Sequence, residues 1–147
     1  MTFSEEIEDE IKEFVNRTEN IYYFPDSDYG VEYLNNNFSF LGTKIDLSKE
    51  KNYVSYDFKK NNFLDMMKFF EFKDIKENIL ASNEIHYVGD GITNSELVFS
   101  GEEFFKVLKF LFVNIPEHHY FFDMEKKWCL FIATEGWIAY GEKSIER

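Results

Sequence analysis

Three histidines, one cysteine and many carboxylates are the groups in this sequence that could carry chemistry. His118 and His119 adjoin, with Asp123 and Glu135 downstream, a mix of nitrogen and oxygen donors of the kind that hold zinc. On a strand, however, neighbouring residues point to opposite faces, so these two imidazoles do not share an ion. His86 lies on a strand unrelated to theirs, and neither H-E-x-x-H nor C-x-x-C occurs. The histidines therefore read as structural, with no metal. Cys129 sits among Trp128, Leu130, Phe131 and Ile132, a core-strand pattern in which a thiol packs as a small hydrophobe and no nearby charge lowers its pKa. Gly89-Asp90-Gly91 lacks the G-K-[ST] ending and the following helix of a phosphate loop, and reads as a turn. Asp26-Ser27-Asp28-Tyr29-Gly30 has part of a calcium-loop spacing, but Gly30 replaces a ligand and Asn37 stands where the closing Glu belongs. Among 28 Asp and Glu some pair always falls at a glycosidase distance, so such a pair signals nothing. No catalytic residue and no cofactor is expected.

The balance of charge says more. The 147 residues carry 28 Asp+Glu against 16 Lys+Arg, a formal net charge of -12, and 20% are aromatic. Folding does not need such a charge, since like charges on a compact body repel, but it steers a protein toward basic partners. Nucleic-acid binding requires a basic face. Here lysines are scattered, with Lys59-Lys60 and Lys126-Lys127 the only adjacent pairs. An anionic membrane surface is disfavoured for the same reason. A lone Cys129 rules out an intramolecular disulfide. An opening of Met1-Thr2-Phe3-Ser4-Glu5-Glu6 carries no signal-peptide pattern, and no apolar run reaches the ~18 residues of a span. The chain reads as cytoplasmic.

The length suits a single domain over 1–147, with a core rich in Phe and Tyr. Ile7, Ile11 and Phe14 form one stripe of a helix over 3–18, with Thr2 and Glu5 in capping-box positions. Its outer acids read as a solvated face, with a contact surface for a basic partner as the alternative. Ile21 to Phe24 is a strand, and Asp26 to Gly30 a turn. Val31, Leu34 and Phe38 mark a short helix ending at Asn35-Asn36-Asn37. Tyr53 to Phe58 alternates as a strand, and Asn61 to Phe72 reads as a helix. Glu84 to Val88 and Glu96 to Phe99 are strands, and Ser100 with Glu103 forms a capping box for a nearly all-apolar helix from Phe104 to Phe112. His118 to Phe122, Trp128 to Thr134 and Trp137 to Tyr140 form a meander, its last hairpin turned by the pair Glu135-Gly136. The expected architecture is α+β, an antiparallel sheet with a C-terminal meander and helices packed on one face.

The block Pro116-Glu117-His118-His119-Tyr120-Phe121-Phe122-Asp123, with Trp128-Cys129-Leu130, Thr134-Glu135-Gly136 and Tyr140-Gly141, resembles the C-terminal hairpins of small immunity proteins. Bacteria encode these antidotes beside polymorphic and contact-dependent toxins. The resemblance spans about the last third of the chain and brings no catalytic residue. It implies a non-enzymatic protein in the bacterial cytoplasm that neutralises a cognate, basic toxin domain such as a nuclease.

The residues that fit contact with such a toxin are carboxylates in loops beside aromatics: Asp26, Asp28, Tyr29, Glu32 and Asp90. Loops reach into a cleft while a sheet holds them rigid. The other readings are an acidic regulatory or binding subunit, and a small ligand-binding enzyme lined by the histidines and acids.

Overall fold

The computed structural model describes residues 1–144, so the last three positions of the domain expected over 1–147 lie outside the described residues. In chain order the strands are β1 (Ile21–Phe24), β2 (Ser39–Leu41), β3 (Lys44–Asp46), β4 (Lys51–Asp57), β5 (Ile85–Val88), β6 (Glu96–Phe99), β7 (His119–Asp123), β8 (Trp128–Ala133) and β9 (Trp137–Glu142). The helices are α1 (Phe3–Arg17), α2 (Asp28–Asn37), α3 (Phe63–Met67), α4 (Lys73–Leu80) and α5 (Phe104–Asn114). Seven strands pair antiparallel in the order β1-β6-β5-β7-β8-β9-β4, while β2 and β3 form a separate hairpin. The class is α+β, with β7, β8 and β9 as the meander.

The strands in the middle of the sheet explain the layering. Every residue of β5, β6, β7 and β8 is buried, so the sheet is covered on both faces, as continuous apolar runs require. On one face α1, α3, α4 and α5 bring Ile11, Met66, Ile79 and Leu108 against Tyr87, Phe121 and Leu130. On the other, Leu34 and Phe38 at the end of α2 join Ile45 of β3 and Leu47 over Val88, Phe122, Cys129 and Phe131. Four helices thus share one face as expected, and α2 with the small hairpin covers the second. No helix among the described residues is long and apolar enough to cross a membrane.

Local chemistry fixes the ends of these elements. The Thr2 hydroxyl accepts from the Glu5 N–H and caps α1. The Asp26–Gly30 cluster is only partly a turn. Asp26 Oδ1 accepts from the Asp28 N–H at 3.1 Å, and the Ser27 carbonyl accepts from Val31, so the helix starts at Asp28, three residues earlier than the apolar stripe indicated. The expected helix over 61–72 is α3 followed by a 3₁₀ turn over Lys68–Glu71, after which α4 begins.

One expected cap and one expected turn are corrected. Ser100 makes no side-chain cap; a 3₁₀ turn over Gly101–Glu103 leads into α5, closed by the Glu103 N–H on the Ser100 carbonyl. The reason is close docking of backbone: Gly101 N–H donates to the Ser82 carbonyl at 2.8 Å, and a Cβ there would collide with the Ile79 and Leu80 carbonyls. The β8–β9 connection has three residues, Thr134 to Gly136, because Ala133 pairs with Trp137. Gly136 takes φ +108 there, which disfavours any other residue.

Trp128 and Phe131 lie on opposite faces of β8, 1% and 0% exposed. Truncating either to Ala is expected to cost roughly 3–5 kcal/mol, read as a lower urea midpoint. An unchanged midpoint for Phe131→Ala would show that the second face is not a packed layer.

Candidate functional site

An open groove of ≈ 840 Å³ lies where β1, β6 and β5 meet the start of α2. Strand alternation builds it. Tyr22 and Phe24 of β1 pair with Val98 and Glu96 of β6, which pair in turn with His86 and Val88 of β5, so all six share a face. Val98, His86 and Glu96 form its floor, and Tyr22, Phe24 and Tyr29 stand in solvent, 64%, 49% and 69% exposed. Asp26, Glu84 and Glu102 complete the acidic lining, and among the described residues no lysine or arginine lines it.

The floor is held by charge. Glu96 is 4% exposed, yet both its oxygens are satisfied: Oε1 accepts from the Gly30 N–H at 3.0 Å and Oε2 lies 2.7 Å from His86 Nδ1. His86 Nε2 lies 3.0 Å from Glu84 Oε1. A carboxylate oxygen faces each ring nitrogen, an arrangement that favours the doubly protonated imidazolium. Burial opposes that charge, but Glu96 and then Glu84 outweigh it and raise His86 above the ordinary histidine value. The ring stacks on Phe122, with which Tyr33 of α2 also stacks at 5.3 Å. Gly30 permits the approach of α2, since a Cβ would collide with Glu96. The result is a rigid, acidic and aromatic surface suited to receive a cation.

The other histidines are apart from this site. β5 is the hydrogen-bonded neighbour of β7, not an unrelated strand, yet the imidazoles diverge. His119 is buried with Nδ1 2.7 Å from the Tyr87 hydroxyl, and burial pushes its pKa down to about 3. His118 faces the other way, accepts from the Thr134 N–H at 3.1 Å, and is lowered by burial. Asp123 serves the turn after β7, accepting from Glu125 and Lys126. Among the described residues no three His, Cys, Asp or Glu are grouped to hold a metal. Burial also drives the Cys129 thiol far upward.

Two further carboxylates are tied to backbone. Buried Glu117 accepts from the N–H groups of Asp90, Ile92 and Thr93 and from the Thr93 hydroxyl. Glu8 of α1, on the helix face read as solvated, accepts from the Tyr23 hydroxyl at 2.8 Å and the Asn94 N–H at 2.7 Å.

The structure divides the residues expected at a partner surface. Asp26 and Tyr29 line the groove. Asp28 and Glu32 are exposed on α2 and line neither hollow. Asp90 borders a separate, smaller hollow with Val31, Asn35 and Tyr120, and burial raises its carboxyl pKa against the opposing pull of His118. Reading the sequence missed Tyr22, Phe24, Glu84, His86, Glu96 and Glu102. A signal was there: His86 and Glu96 hold polar positions in otherwise apolar strands, the mark of an ion pair within a buried layer, with exposed Glu84 just before β5.

The histidine provides a pH test. Because its folded pKa is raised above the unfolded value near 6.5, its stabilisation is fully present below about pH 6.5 and is lost as pH rises through the folded pKa. His86→Gln is therefore expected to cost more stability at about pH 6 than at about pH 9 in urea unfolding; equal costs would contradict a charged ring. Separately, Glu117→Gln places an amide donor against N–H groups. The expected loss is about 1–3 kcal/mol, with faster hydrogen exchange at Asp90, Ile92 and Thr93. Unchanged exchange there would show that Glu117 does not hold the loop.

Comparison with protein families, curated proteins and solved structures finds no match to this chain.

Proposed function

We propose that this protein is an immunity protein that binds and neutralises a cognate basic toxin domain, such as a nuclease, in the bacterial cytoplasm. The observation that carries this reading is the groove beside β1, which combines exposed Tyr22, Phe24 and Tyr29 with Asp26, Glu84, Glu96 and Glu102, and whose lining holds no lysine or arginine among the described residues. A toxin that attacks nucleic acid must present cations to hold phosphate. An inhibitor gains affinity from aromatic anchors and on-rate from complementary charge. The acids of α1 fit the second role, since Glu6 and Glu10 are exposed on its outer side. The same geometry would serve an acidic binding subunit of a larger assembly. A small ligand-binding enzyme is favoured by the groove volume of ≈ 840 Å³, within the ~300–1,000 Å³ typical of small-molecule sites. A small molecule held in stoichiometric amount through purification would favour that second reading.

Co-expression with a basic toxin domain encoded beside this chain is the test. Rescue of growth and a stable complex on a sizing column are expected. No rescue and no complex would overturn the proposal. Within such a complex, Asp26→Lys is expected to speed dissociation, while Glu6→Lys with Glu10→Lys lowers the association rate and flattens its salt dependence. Surface plasmon resonance at several salt concentrations separates the two effects, and the reverse assignment would move the contact from the groove to α1.

A further inference from the structure

We infer that the outer edge of β1 accepts an extended segment of the partner as an eighth strand, which lodges a lysine or arginine over the Glu84–His86–Glu96 floor of the groove. The inference rests on the immunity reading for the partner's identity and adds how the partner docks.

The two edges of the sheet differ. The β4 edge is blunted: its register shifts between Lys51 and Val54, Asn52 takes a left-handed φ of 56, and the Asn52 side chain is bonded to Glu142. Such breaks, with a lysine at the strand start, are how sheets deter added strands. β1 carries none of them within its length. It runs regularly from Ile21 to Phe24 in register with β6, no strand pairs with its other side among the described residues, and its lysine-free sequence leaves outward N–H and C=O groups to pair. Asn20 at φ 66 and Pro25 bound the strand and set the length of the segment it can take.

The groove selects what that segment carries. Tyr22 and Phe24 point to the groove side, so alternate residues of an added strand would lie beside them on that side. A cation there meets the faces of exposed aromatic rings and the carboxylates of Asp26, Glu84 and Glu102, with no lysine or arginine among the described lining residues. On the opposite side of the strand Tyr23 is held by Glu8, which fixes β1 against α1. A second copy of this chain is the wrong occupant, because it would bring a net charge of -12 against an equal charge.

The probe is a synthetic peptide, acetyl-Thr-Arg-Val-Arg-Val-Thr-amide, titrated into isotope-labelled intact protein and followed by NMR. Saturable shifts at the amides of Tyr22, Tyr23 and Phe24 and at His86 are expected. No such shifts are expected for a peptide with Glu in place of Arg or for one N-methylated at alternate amides along either edge. Glu102→Lys is expected to weaken the Arg peptide several-fold, one exposed pair having become repulsive, with the remaining amide spectrum unchanged. Shifts confined to β4 or α1, equal binding of the N-methylated peptides, or a dimer of the protein alone paired through β1 would each overturn the inference. Protection of cells without peptide binding overturns the strand addition and leaves the immunity reading standing. Peptide binding without protection supports the strand addition and removes the immunity reading.

Discussion

The carboxylate of Glu96 is the interaction on which the rest of the groove depends. A buried charge is tolerated when its oxygens are paired, and Glu96 divides its two between the Gly30 N–H and His86. The first bond fixes the start of α2 against β6, and the second fixes the imidazolium within β5. Tyr29 and Asp26 stand on the rim because α2 begins where Glu96 holds it. Removing one partner from such a buried arrangement strands a charge and costs about 3–5 kcal/mol in comparable cases. Fold and groove are here the same set of contacts.

The acidity of the chain serves two purposes. Glu117, Asp123 and Glu8 accept from backbone N–H groups of loops and turns, and Glu117 and Asp123 are 6% and 2% exposed. These acids replace hydrogen bonds that irregular backbone would otherwise lack. The acids left on the surface, on α1, α2 and the groove rim, set the field around the molecule. The aromatic content divides likewise. Phe99, Phe104, Phe121 and Phe131 fill the two cores, whereas Tyr22, Phe24 and Tyr29 are exposed together beside an edge strand. Large apolar groups gathered at one exposed place are what a binding surface looks like.

Much of this was legible in the sequence where local pattern and tertiary packing agree. The Thr2 cap, the strand over Ile21–Phe24, the buried apolar helix α5 and the three-strand meander follow from spacing and turn residues alone, as does the divergence of His118 and His119. The start of α2 was not, because Asp26, Ser27 and Gly30 are turn formers by type, and only contact with Glu96 explains a glycine within the helix. β2 and β3 have three residues each, too few to show a period. α4 went unread because two apolar residues, Ile75 and Ile79, carry its buried side. Coverage of both faces was implied by the continuous apolar strands, though nothing local says that α2 supplies it. Of the partner residues expected from loop acidity, two line the groove. Its floor pairs His86 with Glu96 diagonally across two strands, a relation set by the register of β5 on β6.

The imidazolium of His86 held between Glu96 and Glu84 is therefore the feature to measure. Nitrogen-15 NMR of the histidine rings reads the protonation of each nitrogen directly as pH is varied. The two flanking carboxylates predict that the His86 ring titrates above the ordinary histidine value, with a proton on both nitrogens below that point, while buried His119 stays neutral. A His86 ring that is singly protonated at neutral pH, titrating below about 6.5, would contradict the charged floor and the groove built on it.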